Sequence, residues 1–239
     1  MKKITLYFLL ITSVFYSQNN NGIAVYKIIF NENKKIIVSK NIKANEMMAK
    51  INDETTKLRP KLKFNTKQAV FYVDGLSNIE AEMASASYCN CYTSKYTDLV
   101  SQKTYQPNEA GIVSDEGEYL IERPILNNWT ITGEKKLIDV YSCIKATQTI
   151  YTADAIKQEI TAWFCPDFNI PFGPAGYAGL PGLIIELRQV DVVFALESLK
   201  IAKELIVIKI PKKGKLITFD NYYNLSKKRI EELKIEQNK

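Results

Sequence analysis

Two β-rich segments between residues 137 and 167 bury the same parity, and this constrains the fold more than any other stretch of the chain. In the first, the even positions are Ile138, Val140, Ser142, Ile144 and Ala146; in the second they are Ile160, Ala162 and Phe164. Side chains alternate across a strand, so a slip of one residue would turn either set to the wrong face. A hairpin centred on Asp154, in the polar Thr152-Ala153-Asp154 turn, sets Ile144 opposite Phe164 and keeps these apolar residues together. The same register sets Cys143 opposite Cys165, with Tyr141 and Trp163 beside them on the other face. A face carrying Trp163, Tyr141 and two cysteines is not a plain solvent face, so something is expected to cover it.

Strand signals recur elsewhere. Ile23 to Phe30 is rich in β-formers, Asn31 to Lys35 has turn chemistry, and Ile36 to Val38 reads as a second strand. Further strands are expected at Ala69 to Val73, Gly117 to Glu122 and Asn128 to Gly133. Between Lys43 and Leu58 the period changes: Met47, Ile51, Thr55 and Leu58 recur at helical spacing, and Pro60 stops the run. Residues 219 to 239 set Tyr222, Leu225, Ile230, Leu233 and Ile235 among Lys and Glu, which predicts a C-terminal amphipathic helix. Residues 84 to 108 carry no clear period. The pattern therefore predicts a mainly β fold: a large antiparallel sheet or half-open, bowl-like barrel with one helix in the N-terminal half and one at the C-terminus. No Ser- or Pro-rich linker divides the chain, so residues 18–239 read as one domain.

The first 17 residues read as a signal peptide. Lys2 and Lys3 precede an apolar run from Ile4 to Phe15 that is too short to span a bilayer, and Ser17 is a small residue suited to the position before cleavage. No cysteine precedes Cys89, which removes a lipid-anchored form, and no transmembrane segment is expected after cleavage. The location implied is periplasmic or secreted. The formal net charge of +6 is scattered rather than blocked, and the short run Lys212, Lys213 and Lys215 reads as a solvated turn, so no nucleic-acid partner is expected. The chain has no histidine. That removes Ser-His-Asp and Cys-His nucleophilic machinery, His-based zinc or copper sites and ordinary haem ligation.

Cys89, Cys91, Cys143 and Cys165 are four thiols in a chain read as exported, and disulfides are the leading expectation. Closing Cys89 to Cys91 makes a small strained ring, so the reading favours each of them bridging to one of Cys143 and Cys165, in an unresolved order. The Cys89-Asn90-Cys91 segment would then lie over the Trp163 face. Two alternatives stand beside this: a four-thiolate metal site, and a Cys-x-Cys redox pair that lacks the flanking βαβ pattern.

Residues 171 to 182, Pro-Phe-Gly-Pro-Ala-Gly-Tyr-Ala-Gly-Leu-Pro-Gly, hold four of the ten glycines. Glycine and proline at this density specify a fixed, irregular path with positive φ and pre-set turns. The path leads into Leu183-Ile184-Ile185-Glu186-Leu187, a strand apolar on both sides and so expected to be covered on both faces. Here the sequence resembles the GLPGLI family of exported Bacteroidetes-type proteins, named for the hexapeptide at Gly179 to Ile184. Trp129, Ser142 to Thr147, Ala162-Trp163-Phe164, Ile170-Pro171 and Gly173-Pro174 follow the family order. The chain departs from it in Asp139-Val140-Tyr141 and in Cys165. The resemblance implies a secreted or periplasmic protein without an established activity. By looser analogy the layout resembles the half-open barrels of lipoprotein carriers and the bowl-like modules of some secreted glycan-processing enzymes.

The reading favoured is a non-enzymatic binding or carrier module without a cofactor, whose partner is an apolar ligand, a peptide or an envelope protein. Its candidate binding or structural loop comprises Trp163, Pro171, Gly173, Pro174, Tyr177, Gly179, Leu180, Pro181, Gly182, Leu183 and Ile184, with Tyr177 and Leu180 expected to project from it. No catalytic residue is assigned. The alternatives are metal handling through the four cysteines and a carboxylate-based hydrolase using Asp167, Glu186 or Glu159, which show no paired geometry.

Overall fold

The first strand shows why the sheet forms. β1, Gly22–Phe30, buries Ala24, Tyr26 and Ile28 on one face while Lys27 and Ile29 face outward. In a computed structural model that describes residues 20–31, 41–77, 79–108, 117–151 and 156–237, this strand lies inside a twelve-stranded sheet. The leader at residues 1 to 17, the strand at Ile36 to Val38 and the turn at Thr152 to Asp154 lie outside the described residues.

The strands in chain order are β1, β2 Lys61–Phe64, β3 Gln68–Tyr72, β4 Lys95–Asp98, β5 Lys103–Asn108, β6 Tyr119–Pro124, β7 Thr130–Ile138, β8 Tyr141–Tyr151, β9 Lys157–Cys165, β10 Leu183–Arg188, β11 Val192–Ile201 and β12 Lys215–Thr218. Their order across the sheet is β12-β6-β5-β4-β3-β2-β1-β11-β10-β9-β8-β7. Neighbours are antiparallel except β12 and β6, which run parallel. The sheet is open, with β12 and β7 at its two edges. The fold is therefore mainly β, as the strand signals require.

The β8–β9 hairpin has the predicted register, with Ile144 opposite Phe164 and Ala146 opposite Ala162. Phe164, Ala162, Ile160 and Ala146 are buried together. β10 is buried at five successive positions from Leu183 to Leu187, as its apolar run predicts. At the centre, Phe71 packs edge-on against Tyr26 and Phe194 at centroid distances of 6.4 and 5.6 Å. The buried Tyr26 hydroxyl donates to Ile184 O at 2.7 Å, beside the irregularity where the β10 register shifts, so its polar tip is satisfied.

Among the described residues three α-helices accompany the sheet where two were expected. α1, Ile42–Lys57, starts at Asn41, whose Oδ1 accepts from Ala44 N at 3.3 Å, and ends before Pro60. α3, Phe219–Gln237, is the C-terminal helix, and its Tyr222 packs edge-on to Tyr119 of β6 at 5.8 Å. The unforeseen element is α2, Glu80–Tyr88, which docks on α1 with Ser85 Oγ donating to Ile51 O at 3.0 Å. No helix among the described residues is long and apolar enough to cross a membrane.

Candidate functional site

The Gly-Pro loop leaves β9 at Cys165 and returns at Leu183. Phe172 and Ala178 form an isolated bridge, Gly179 N donates to Pro171 O at 3.0 Å, and a 3₁₀ turn runs from Pro174 to Gly176 between them. Backbone strain concentrates in this turn. Ala175 has φ 55° although it carries a Cβ, and Gly176 and Gly179 follow at 84° and 93°. Gly182 serves a different need from the positive φ expected of it. A Cβ there would stand 2.3 Å from Cys165 O, so the residue is small because β9 passes against it.

Trp129 anchors the loop from outside. Its indole Nε1 donates to Ala178 O at 2.9 Å, and its ring lies 6.0 Å from that of Tyr177. Gly173 and Pro174 are buried, as are Leu183 and Ile184, whereas Gly179 and Pro181 reach solvent. Leu180 does not project as expected: it is 1% exposed and belongs to the core, because the loop folds back over the sheet rather than away from it.

Beneath the loop lies a cavity of about 360 Å³. Ala175 to Ala178 form one side, Lys95, Thr104 and Arg123 from β4 to β6 a second, and Gln148 and Ile160 from β8 and β9 a third. The segment Gln189 to Val192 closes the remaining side. Lys95 is 8% exposed, and burial pushes its pKa down to about 8, with the charge of Arg123 acting in the same direction and Cys91 opposing. Its Nζ donates to Asn90 O. Arg123 reaches solvent and stacks over the Phe219 ring at 3.3 Å, yet the protein around its guanidinium pushes its pKa below the usual value, against Tyr177 and Asp220. Burial also raises Tyr177, opposed by Gln189 and Arg123.

Gln148 completes the wall and is 2% exposed. Its Nε2 donates to Leu126 O at 2.9 Å and to Asn128 Oδ1 at 2.6 Å, while its Oε1 is buried without a hydrogen-bond partner. Sequence reading missed Lys95, Arg123 and Gln148. Gln148 was detectable: it occupies an even position on β8, in line with Ile144 and Ala146, where the buried parity calls for an apolar residue.

The other face of the β8–β9 hairpin is covered, but locally. Lys136 Nζ sits 4.3 Å above the Trp163 ring, Tyr141 packs edge-on to Phe168 at 5.6 Å, and Glu186 joins Lys136 and Arg188 at 3.1 and 2.7 Å. Trp163 thus stands on the side of the sheet opposite the cavity. The Cys89–Cys91 segment does not cover it, since this segment closes α2 and the Cys91 thiol faces Cys89 and Lys95.

All four cysteines are buried, and none is joined in a disulfide. The structure shows no bridge from Cys89 or Cys91 to Cys143 or Cys165; the Cys91 thiol interacts electrostatically with Cys89, and the Cys143 thiol with Cys165. Burial pushes Cys91 and Cys143 up to about 12 and also raises Cys165, which keeps these thiols protonated near neutral pH. Among the described residues no group of three or more Cys, Asp or Glu is gathered to hold a metal ion. Glu186 is engaged by cations, Asp167 and Glu159 are exposed, and none of the three lines the cavity.

A model of a Bacteroidetes-associated family, described as "Protein of unknown function (Porph_ging)", matches residues 152–186, the stretch that holds β9, the loop and the start of β10. No curated protein matches the chain. Among solved structures, PNGF-II in space group P21 is similar with TM-score 0.53 and 14% identity over 87% of this chain. PNGF-II in space group C2 gives 0.52 and 14% over the same share. The chain spans about a third of the PNGF-II chain (33%), and the likeness at this identity is one of fold.

Proposed function

We propose that this chain is an exported binding module of the GLPGLI type, residues 18–239 after loss of the leader, which seats a small ligand or a partner's segment in the cavity beneath its signature loop. The basic and apolar start of the chain supports export to the periplasm or beyond, and the Gly179 to Ile184 hexapeptide supports the family. One observation carries the binding reading: the cavity wall holds a buried acceptor, Gln148 Oε1, that the protein itself leaves unpartnered. Leaving such a group unmade costs on the order of 1–3 kcal/mol, which a ligand's donor recovers. The left-handed Ala175 on the opposite side is a second retained cost at the same cavity.

Native mass spectrometry of protein recovered from its host's envelope tests this reading. The expected result is a co-purified small molecule or peptide that is lost in Tyr177→Ala. The reading is overturned if no adduct is found and no member of a fragment library shifts the Trp129 indole N–H resonance, which reports on the loop through Ala178 O.

A further inference from the structure

We propose that the cavity takes small organic acids: a carboxylate facing Lys95 and Arg123, a neighbouring N–H or O–H donated to Gln148 Oε1, and an apolar body against the rim. This rests on the cavity being a binding site and adds the class of its ligand.

Charge is the first argument. Lys95 and Arg123 both line the cavity, and neither forms an ion pair among the described residues. Asp191 is the one carboxylate among the described lining residues, and it is engaged by the Tyr88 hydroxyl. The cavity thus presents two cations against one occupied anion. A buried ammonium whose donors reach only a backbone carbonyl leaves donor capacity for a charged acceptor, and charge-assisted bonds to a carboxylate are the strongest available.

Polarity is the second. The orientation of the Gln148 amide is fixed by its surroundings, because its Nε2 meets two acceptors, Leu126 O and Asn128 Oδ1. The oxygen is therefore the free end, and it calls for a donor rather than a second anion. Size and rim complete the argument. A volume of about 360 Å³ lies in the range of small-molecule sites. Leu126, Tyr151 and Val190 line the cavity while remaining 48%, 68% and 50% exposed, which offers an apolar body a landing surface outside the charged floor.

The test is calorimetric titration of the full exported protein with a matched pair, N-acetyl-L-leucine and its neutral carboxamide. The acid is expected to bind about tenfold tighter than the amide or better, the equivalent of one charge-assisted contact. Lys95→Met and Arg123→Gln should each erase that preference with an unchanged circular dichroism spectrum, and Gln148→Leu should weaken acid and amide alike. Equal binding of acid and amide overturns the organic-acid assignment while the cavity reading stands. If neither compound binds, the assignment also falls, and the cavity reading is then decided by the co-purification experiment alone. Binding of the acid that survives both cation substitutions places the site elsewhere and overturns the proposal.

Discussion

Gly182→Ala adds a single carbon and should be among the most damaging small changes available in this chain. The new Cβ would stand 2.3 Å from Cys165 O, 2.7 Å from Cys165 C and 3.0 Å from Phe164 Cδ2. Ordinary C···O contacts lie at about 3.3 Å or beyond, so the overlap is about 1 Å, and two of the three atoms met are backbone. Leu183 pairs with Cys165 in the adjoining register position, so the overlap is relieved only if β10 backs away from β9 where the pairing begins. That places the cost near the top of the over-packing range, about 3 kcal/mol. For a domain of this size each kcal/mol lowers Tm by roughly 2–4 °C, so a fall of roughly 6–12 °C is expected. Gly75→Ala is the control. Its φ of +65° makes alanine strained there, but nothing lies within 4 Å of the added carbon, so the loss should stay near 1 kcal/mol. Thermal unfolding followed by circular dichroism measures both. A Gly182→Ala variant that melts within about 2 °C of wild type, or above Gly75→Ala, refutes the close-approach argument.

Leu180→Ser removes a fully buried side chain and leaves a hydroxyl in its place, so urea unfolding should show a loss of about 3–5 kcal/mol; an unchanged midpoint would mean that Leu180 is not core. Lys95 gives a pH-dependent expectation. Its folded pKa of about 8 lies below its unfolded value of 10.5, so between these values the unfolded chain binds the extra proton and stability rises with pH. The penalty is fully present below pH 8. Lys95→Met should therefore be more stable than wild type at pH 7, by an amount on the order of 3 kcal/mol, and the gap should narrow as pH climbs from 8 to 10. A gap that is constant with pH, or a destabilised variant, contradicts the burial of a charged lysine at this site.

What the sequence disclosed depended on whether a residue's partner sat nearby or across the molecule. The β8–β9 register was legible because Ile144, Ala146, Ile160, Ala162 and Phe164 share a parity around one turn. α1 was legible because its stripe at Met47, Ile51 and Thr55 runs between an Asn cap and Pro60. Residues 84 to 108 were opaque for physical reasons. α2 mixes Ser and Ala with little apolar contrast between its faces, β4 buries a lysine, and β5 is half-buried at every position and contains Pro107. The cavity was hidden for a further reason: Lys95, Arg123, Gln148 and Ala175 belong to four different segments, and only the sheet order and the folded-back loop bring them around one cavity. Leu180 misled because a Gly-Pro loop suggests an outward excursion, whereas this one turns inward through Ala175 and Gly176.

The position of β1 has a kinetic consequence. It is early in the chain but lies in the middle of the sheet, hydrogen-bonded on one side to nearby β2 and on the other to β11, with Gly22 opposite Ile201. The arm from β2 to β6 can zip along local hairpins, and so can the arm from β11 back to β7, but among the described strands the two arms are hydrogen-bonded into one sheet only through that one distant pairing. Contacts of such sequence separation close late and slowly. A chain released from one end would hold β1 half-paired, with an open edge, until β11 arrives. Substitutions along the β1–β11 seam, such as at Ala24 or Phe194, should therefore slow refolding and raise aggregation more than equally buried substitutions inside either arm.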